Sequence, residues 1–410
     1  MEDTVYEVGV CAFEGCKGLT EIRFLENLSS IGGSAFSGCS GLTSLTLPAA
    51  LEGIGPGAFE DCTGLTELSL PELKSLPSST FRGCTGLRSI TLPDSIRWIE
   101  AFAFSGCSSL SDVRLPESLT TIDHCAFRDC VSLTRITIPD GVNVLETNAF
   151  KGCSALESFR LTDGNDSFCS VDGVLYDKEQ RVLIKYPEGK KNDTLTISAD
   201  ITCLEDIELN CQYLTEINVE SGNQWYSSLD GVLFDADQTA LIRVPCRKQG
   251  VYEIPQSVDS IDLFGFQNCA ELSALIIPAN VSFDMSKAYN VSQMFTGCVS
   301  LEEIRVAEDN EDYSSQDGML LNKAQTELLC CPPGKTGACT IPASVRSLEY
   351  GAFFNCANLT SVTIPAGVRD ISRAFSDSQV WKDFIIYGVP DSEAQHVAEE
   401  YGFRFVPIDG

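Results

Sequence analysis

The chain has 410 residues, 43% of them apolar, and carries 58 acidic against 28 basic side chains, a formal net charge of -30. A field of that sign repels phosphate backbones and anionic lipid surfaces, which argues against nucleic-acid binding and peripheral membrane attachment. No apolar run reaches the ~18 residues needed to cross a bilayer, and no charged-then-apolar leader stands at Met1.

From the amino end, Ala12-Phe13-x-x-Cys16-x-x-Leu19 recurs as Ala35-Phe36-x-x-Cys39-x-x-Leu42 and Ala58-Phe59-x-x-Cys62-x-x-Leu65. The motif continues through Cys84, Cys107, Cys130 and Cys153 and returns at Cys211, Cys269, Cys298 and Cys356, with Glu208 in place of the phenylalanine before Cys211. These eleven cysteines lie at intervals of 23, 23, 22, 23, 23, 23, 58, 58, 29 and 58 residues. Each leucine opens a stretch such as Leu133-Thr-Arg-Ile136-Thr-Ile138-Pro139. Its period-two alternation predicts a short strand that proline closes. One circuit of this kind cannot bury its own apolar edge, so the circuits must stack in parallel, about 4.8 Å apart, around a shared core. The predicted fold is a mainly β repeat solenoid.

The long intervals follow their own rule. Asn165-x-x-Phe168-x-Ser170-x-Asp172-Gly173 matches Asn223-x-x-Tyr226-x-Ser228-x-Asp230-Gly231 and Asn310-x-x-Tyr313-x-Ser315-x-Asp317-Gly318. Asp-Gly suits a left-handed turn position and Asp177-Lys-Glu-Gln180 a hairpin tip, so each is read as a β-hairpin insert, near 162–195, 220–252 and 307–339. With the eleven motif circuits they make about 14 turns over residues 1–384. Residues 385–410 then form a C-terminal cap. Ser392-Glu-Ala-Gln395 has the spacing of a capping box, and Gly402 suits the end of a helix over about Ser392 to Tyr401. At the other end Met1 enters mid-repeat, which points to an upstream segment outside this sequence.

The combination Phe-x-x-Cys-x-x-Leu-x-x-Ile-x-Ile-Pro with the Asn-x-x-Tyr-x-Ser-x-Asp-Gly-Val-Leu insert resembles the BspA-like leucine-rich repeat family of bacterial surface proteins, from about Val8 to Pro407. The resemblance implies a right-handed leucine-rich-repeat superhelix. It also implies an extracellular, cell-surface location and adhesion to host or matrix proteins, and it carries over no catalytic residue.

The cysteine spacing predicts a row of reduced thiols on a buried turn rather than a disulfide framework, since parallel Cα–Cβ vectors fit a disulfide poorly. Zinc is excluded by the lack of any paired Cys-x-x-Cys, and no cofactor is expected. Cys330-Cys331 is read as one core and one surface residue. His124 and Cys125, adjacent on an extended segment, should face opposite ways, so no dyad forms and no enzyme is expected. The acidic run Glu308-Asp309-Asn310-Glu311-Asp312 lacks calcium-loop spacing and reads as a solvated loop.

The outward strand positions form two columns. One runs from Glu21 through Asp112, Arg135 and Ser158 to Ser361, the other from Arg23 through Arg114 and Arg160 to Thr363, and neither holds an aromatic residue among its positions. Some arginines are answered on their own strand, as in Glu21/Arg23, Asp112/Arg114 and Glu303/Arg305. Arg114, Arg135 and Arg160 are the candidate protein-binding face. Trp225, which does not recur in the other inserts, is the candidate insert contact and the basis of an alternative glycan-binding reading. The expectation is a monomeric, non-enzymatic surface protein.

Overall fold

In the computed structural model, residues 5–205, 212–283, 290–371, 373–375 and 383–409 are described. The fold is a β-solenoid of about 17 turns. Two compact units divide it, residues 1–191 with 200–211, and residues 192–199 with 212–410.

In the first unit two rows of short parallel strands alternate along the chain. The main row holds Glu67–Ser69, Ser89–Thr91 and Asp112–Arg114, then Arg135–Ile138 beside Ser158–Leu161. The second row includes Ser75–Leu76, Trp98–Ile99, Thr121–Ile122 and Val144–Leu145. Register stacks like on like: Leu68 faces Ile90, which faces Val113, all buried. The repeat therefore determines the register, because a one-residue slip would turn every leucine outward.

Between the rows runs the Ala-Phe-x-x-Cys turn. Phe104 N–H donates to the Ala126 carbonyl of the next circuit at 2.7 Å, and Phe127 to Ala149 at 2.8 Å. Phe13, Phe36, Phe59, Phe81, Phe104, Phe127 and Phe150 form one stack, with centroids 5.1 to 5.7 Å apart and planes within 15°. Each such pair adds about 0.5–1.5 kcal/mol beyond its area burial. Phe150 meets Phe159 edge-on where the first insert begins.

From the second circuit of this stack onward, each thiol has a fixed partner. Cys39 Sγ donates to the Phe13 carbonyl of the preceding circuit at 3.1 Å, and Cys62, Cys84, Cys107, Cys130 and Cys153 repeat the bond at 3.1 to 3.3 Å. Burial pushes the Cys62 and Cys107 thiols up to about 12. Cys16, on the first described circuit, is exposed instead of buried. Cys211 and Glu208 lie outside the described residues. The turn also repeats a left-handed residue that periodicity alone did not reveal. Cys11, Ser34, Gly57, Ser79, Phe102 and Cys125 hold φ between 52° and 63°.

The first insert bridges the two rows. Phe168–Val171 pairs antiparallel with Val174–Asp177, which pairs antiparallel with Val182–Lys185, which in turn lies parallel to Cys203–Leu204. Its tip, Asp172-Gly173, has φ of 49° and 78°. The Gly173 carbonyl accepts from Phe159 N–H at 2.9 Å, so the tip continues the main row. Buried Asn165 closes the approach: its amide donates to the Pro139 and Val142 carbonyls and its oxygen accepts from the Ser167 and Phe168 amides.

The second unit repeats this design less regularly. Its main row includes Thr194–Ile197 beside Glu216–Val219, and Gly250–Glu253, Leu272–Ile277 and Glu303–Val306 as one sheet. A further sheet holds Gly337–Thr340, Leu359–Thr363, Ile385–Gly388 and Arg404–Pro407. A 3-10 turn, Val291–Phe295, stands within the 29-residue interval and tilts Phe295 by 35° against Phe266. Cys298 keeps the ladder bond, to the Phe266 carbonyl at 3.0 Å. Cys269 and Cys356 follow insert circuits in which Val244 and Cys331 stand where the turn phenylalanine would be, and reach those carbonyls at 3.6 and 3.4 Å.

The main row runs on past the last motif, and two sequence expectations are corrected. Strands Ile385–Gly388 and Arg404–Pro407 prolong it on either side of helix Glu393–Tyr401, which helps raise the count above about 14. The capping box does not form: Ser392 Oγ donates to the Val389 carbonyl, and Gln395 accepts from the Asp391 amide. Gly402 does end the helix, at φ 72°. Cys330 and Cys331 are both buried, because the strand end turns inward and the Cys331 amide bonds the Ala352 carbonyl at 2.7 Å.

Candidate binding surface

The main row of the first unit presents its side chains in two outward columns. Arg135 lies opposite Ser158, and Thr137 opposite Arg160. On the neighbouring sheet Asp112 lies opposite Ser89, and Arg114 opposite Thr91. Arg114 and Arg160 thus share a column two rungs apart, with Arg135 in the other column on the rung between. All three are exposed. The strand spacing puts Arg114 and Arg160 about 10 Å apart at their bases.

Pairing separates these arginines from others in the same columns. Arg23 reaches Glu21 at 3.3 Å and Arg305 reaches Glu303 at 2.6 Å. Among the described residues, the side chains of Arg114, Arg135 and Arg160 make no ion pair or hydrogen bond. The expected Asp112/Arg114 pair does not form, and both side chains stand exposed. The nearby acid Glu157 is taken by Lys191 at 2.6 Å. Lys191 holds the Glu157 carboxyl below its ordinary range, with Arg135 a smaller contributor. In a chain of net charge -30, this is a flat patch where cations outnumber available acids.

Each insert carries a lysine that the motif reading missed. Lys190, Lys248 and Lys335 each donate to the carbonyl of the left-handed aspartate at the hairpin tip, Asp172, Asp230 and Asp317 respectively. The Pro-x-x-Lys spacing common to the three inserts was the available signal.

In the second unit a groove of about 710 Å³ lies over the Leu272–Ile277 and Glu303–Val306 strands, walled by the third tip at Asp317-Gly318 and by Lys335. Its arginine, Arg305, is the one held by Glu303. The columns here depart from expectation in two ways. Ala274 and Ser361, read as outward, are buried. The prolonged row also adds a half-buried aromatic, Tyr387, opposite Thr363.

Trp225 is 57% exposed. It stands at the outer end of strand Tyr226–Leu229, whose other end leads to the tip, so it does not belong to the column face. Trp98, 45% exposed, sits on the second row of the first unit. Trp381 lies outside the described residues.

The remaining candidates resolve into structure. His124 bonds Asn148 through Nδ1 at 2.8 Å and packs edge-on to Phe102, and Asn148 also accepts the Cys125 amide. His396 pairs with Glu393 on the exposed side of the terminal helix. In the acidic run, Asn310 is buried and donates to the Pro278 and Val281 carbonyls. Among the described residues no group of three or more His, Cys, Asp or Glu is placed to hold a metal ion, and no helix is long and apolar enough to cross a membrane.

The BspA type leucine rich repeat region matches the chain over residues 1–84, 74–170, 246–316 and 335–391. No curated protein matches it. Among solved structures, a leucine rich cell surface protein from Faecalibacterium prausnitzii is 24% identical at TM-score 0.43, covering 96% of this chain and 85% of that one. The pneumococcal vaccine antigen PcpA is 17% identical at TM-score 0.40, covering 84% and 89%. A leucine-rich repeat protein from Eubacterium ventriosum is 18% identical at TM-score 0.43, covering 85% and 79%.

Proposed function

The chain belongs to the BspA-type leucine-rich repeat family, and from that premise we propose that it is a non-enzymatic, extracellular or cell-surface module that adheres to another protein through the main-row face of its first unit. The observation that carries this reading is the set of three unpaired, exposed arginines on adjacent rungs. A rigid strand row presents them at fixed spacing, and arginine is enriched among the residues that dominate protein interfaces. Host or matrix proteins are the partner class, and the chain acts as a monomer without a cofactor.

The test is a binding screen against matrix and host-surface proteins with the wild-type chain and with Arg114, Arg135 and Arg160 changed together to Ala. Loss of about tenfold or more in affinity is expected for a partner using this face. Unchanged affinity removes the face from consideration. A second reading, glycan binding, is favoured by the exposure of Trp225 on its hairpin. A glycan array with Trp225→Ala decides it, since that substitution abolishes any signal that depends on the ring.

A further inference from the structure

We infer that the Arg114–Arg135–Arg160 triangle holds a short acidic segment of a partner protein, an inference that rests on the reading of this face as a binding surface. Charge complementarity points to the occupant. Burying a guanidinium against a neutral surface leaves its donors unmatched, whereas a carboxylate takes two of them in a planar fork. The near acids do not neutralise them: Asp112 makes no ion pair with Arg114, one carboxylate stands among three guanidinium groups, and Glu157 is occupied by Lys191.

Dimensions set the length of the segment. An extended peptide rises about 3.3 Å per residue, so three residues span the roughly 10 Å from Arg114 to Arg160. Thr91, Thr137 and Ser158, alternating with the arginines, offer hydroxyls to the peptide backbone. The patch is small. A long polyanion such as a sulfated polysaccharide would run past it onto a surface that carries the chain's net charge of -30, and there it would be repelled. A short acidic stretch ends before that boundary.

The third insert supplies the design of the test. At the place equivalent to Ser158, Glu303 pairs with Arg305 at 2.6 Å. Ser158→Glu should therefore tie up Arg160 while leaving every arginine in place and the strand intact. The measurement is fluorescence anisotropy of a labelled hexaglutamate peptide on the whole chain at low ionic strength, with a heparin-derived hexasaccharide as the competing probe. Expected is binding that weakens with added salt, falls about tenfold or more in the triple Arg→Ala variant, and falls several-fold in Ser158→Glu. Circular dichroism and the melting temperature of both variants should match wild type.

Absence of hexaglutamate binding, or binding that neither variant weakens, overturns the inference. Tighter binding of the hexasaccharide through the same arginines also overturns it. If a protein found in the screen needs the three arginines while hexaglutamate does not bind, the acidic occupant falls and the strand-face reading stands. If that protein ignores them too, both fall.

Discussion

Ser158–Arg160 and Glu303–Arg305 occupy the same place beneath the first and third hairpin tips, yet they leave their arginines in opposite states. Gly173 sits against Ser158, and Gly318 against Glu303. In the third insert the glutamate two residues before the arginine claims it at 2.6 Å; in the first, serine cannot, and the guanidinium stays exposed. One residue in an otherwise repeated unit thus decides whether a basic side chain is available to a partner. Repetition builds the scaffold, and departures from repetition are where recognition can be placed.

The largest expected effect tests whether the two tips are mechanically alike. Gly173 and Gly318 both have positive φ, 78° and 77°. A Cβ at Gly173 would come within 2.8 Å of the Ser158 Cβ, whereas at Gly318 it would meet the Glu303 side chain at 3.1 Å. Either glycine→Ala change should cost about 1–3 kcal/mol through backbone strain. Gly173→Ala should be the worse, because the serine Cβ is fixed to its strand and a glutamate chain can swing aside. Equal losses by calorimetry or chemical denaturation would mean that the strand-side residue does not matter to the tip.

A second comparison concerns the acid that follows the second-row strand. Glu205 and Glu349 donate their amides to Leu183 at 3.0 Å and Leu328 at 2.9 Å. Burial, aided by Glu327, pushes the Glu349 carboxyl up to about 7, and burial with Asp177 and Glu146 raises Glu205. A raised carboxyl favours the folded state while it is protonated. That contribution is complete below the ordinary 4.5 and is lost as pH rises through about 7. Glu349→Gln should therefore stabilise the chain by about 1–2 kcal/mol at alkaline pH and leave it unchanged in acid. Glu205→Gln should act in the same direction but less. A Glu349→Gln melting curve that tracks wild type across the whole range would show that this carboxyl carries no strain.

Much of the scaffold was legible because its physics is periodic. Leu68, Ile90 and Val113 fall at the repeat spacing, so their register could be read directly, and Asp172-Gly173 announced its turn. The strands Thr194–Ile197, Gly250–Glu253 and Gly337–Thr340 were harder to assign to the columns, since no Phe-x-x-Cys turn precedes them at the usual distance. Tyr387 escaped notice for a related reason: its strand continues the row beyond the last motif. The candidate face was half legible. Periodicity set Arg114, Arg135 and Arg160 in their columns, but whether each arginine has a partner depends on side-chain placement that spacing does not encode, so Asp112/Arg114 and Glu303/Arg305 looked alike although only the second is paired.

The smallest effect is the most direct measure of that pairing. Arg305, through its hydrogen bond, holds the Glu303 carboxyl below the ordinary 4.5, and Lys191 does the same for Glu157. Both groups stand in solvent, so the expected signal is a titration midpoint and not a measurable loss of fold. The sign is that of a depressed carboxyl: whatever each pair contributes is present at neutral pH and disappears as pH falls through the depressed value. Carboxyl-carbon NMR should place both midpoints below 4.5 in the wild-type chain. Arg305→Ala should return Glu303 to the ordinary range, Lys191→Ala should return Glu157, and Arg160→Ala should move neither. If Arg160→Ala shifts Glu157 as far as Lys191→Ala does, then Arg160 is engaged within its own chain. The two inserts would then differ only in which acid they use, and the first would have no unclaimed arginine at that position to offer a partner.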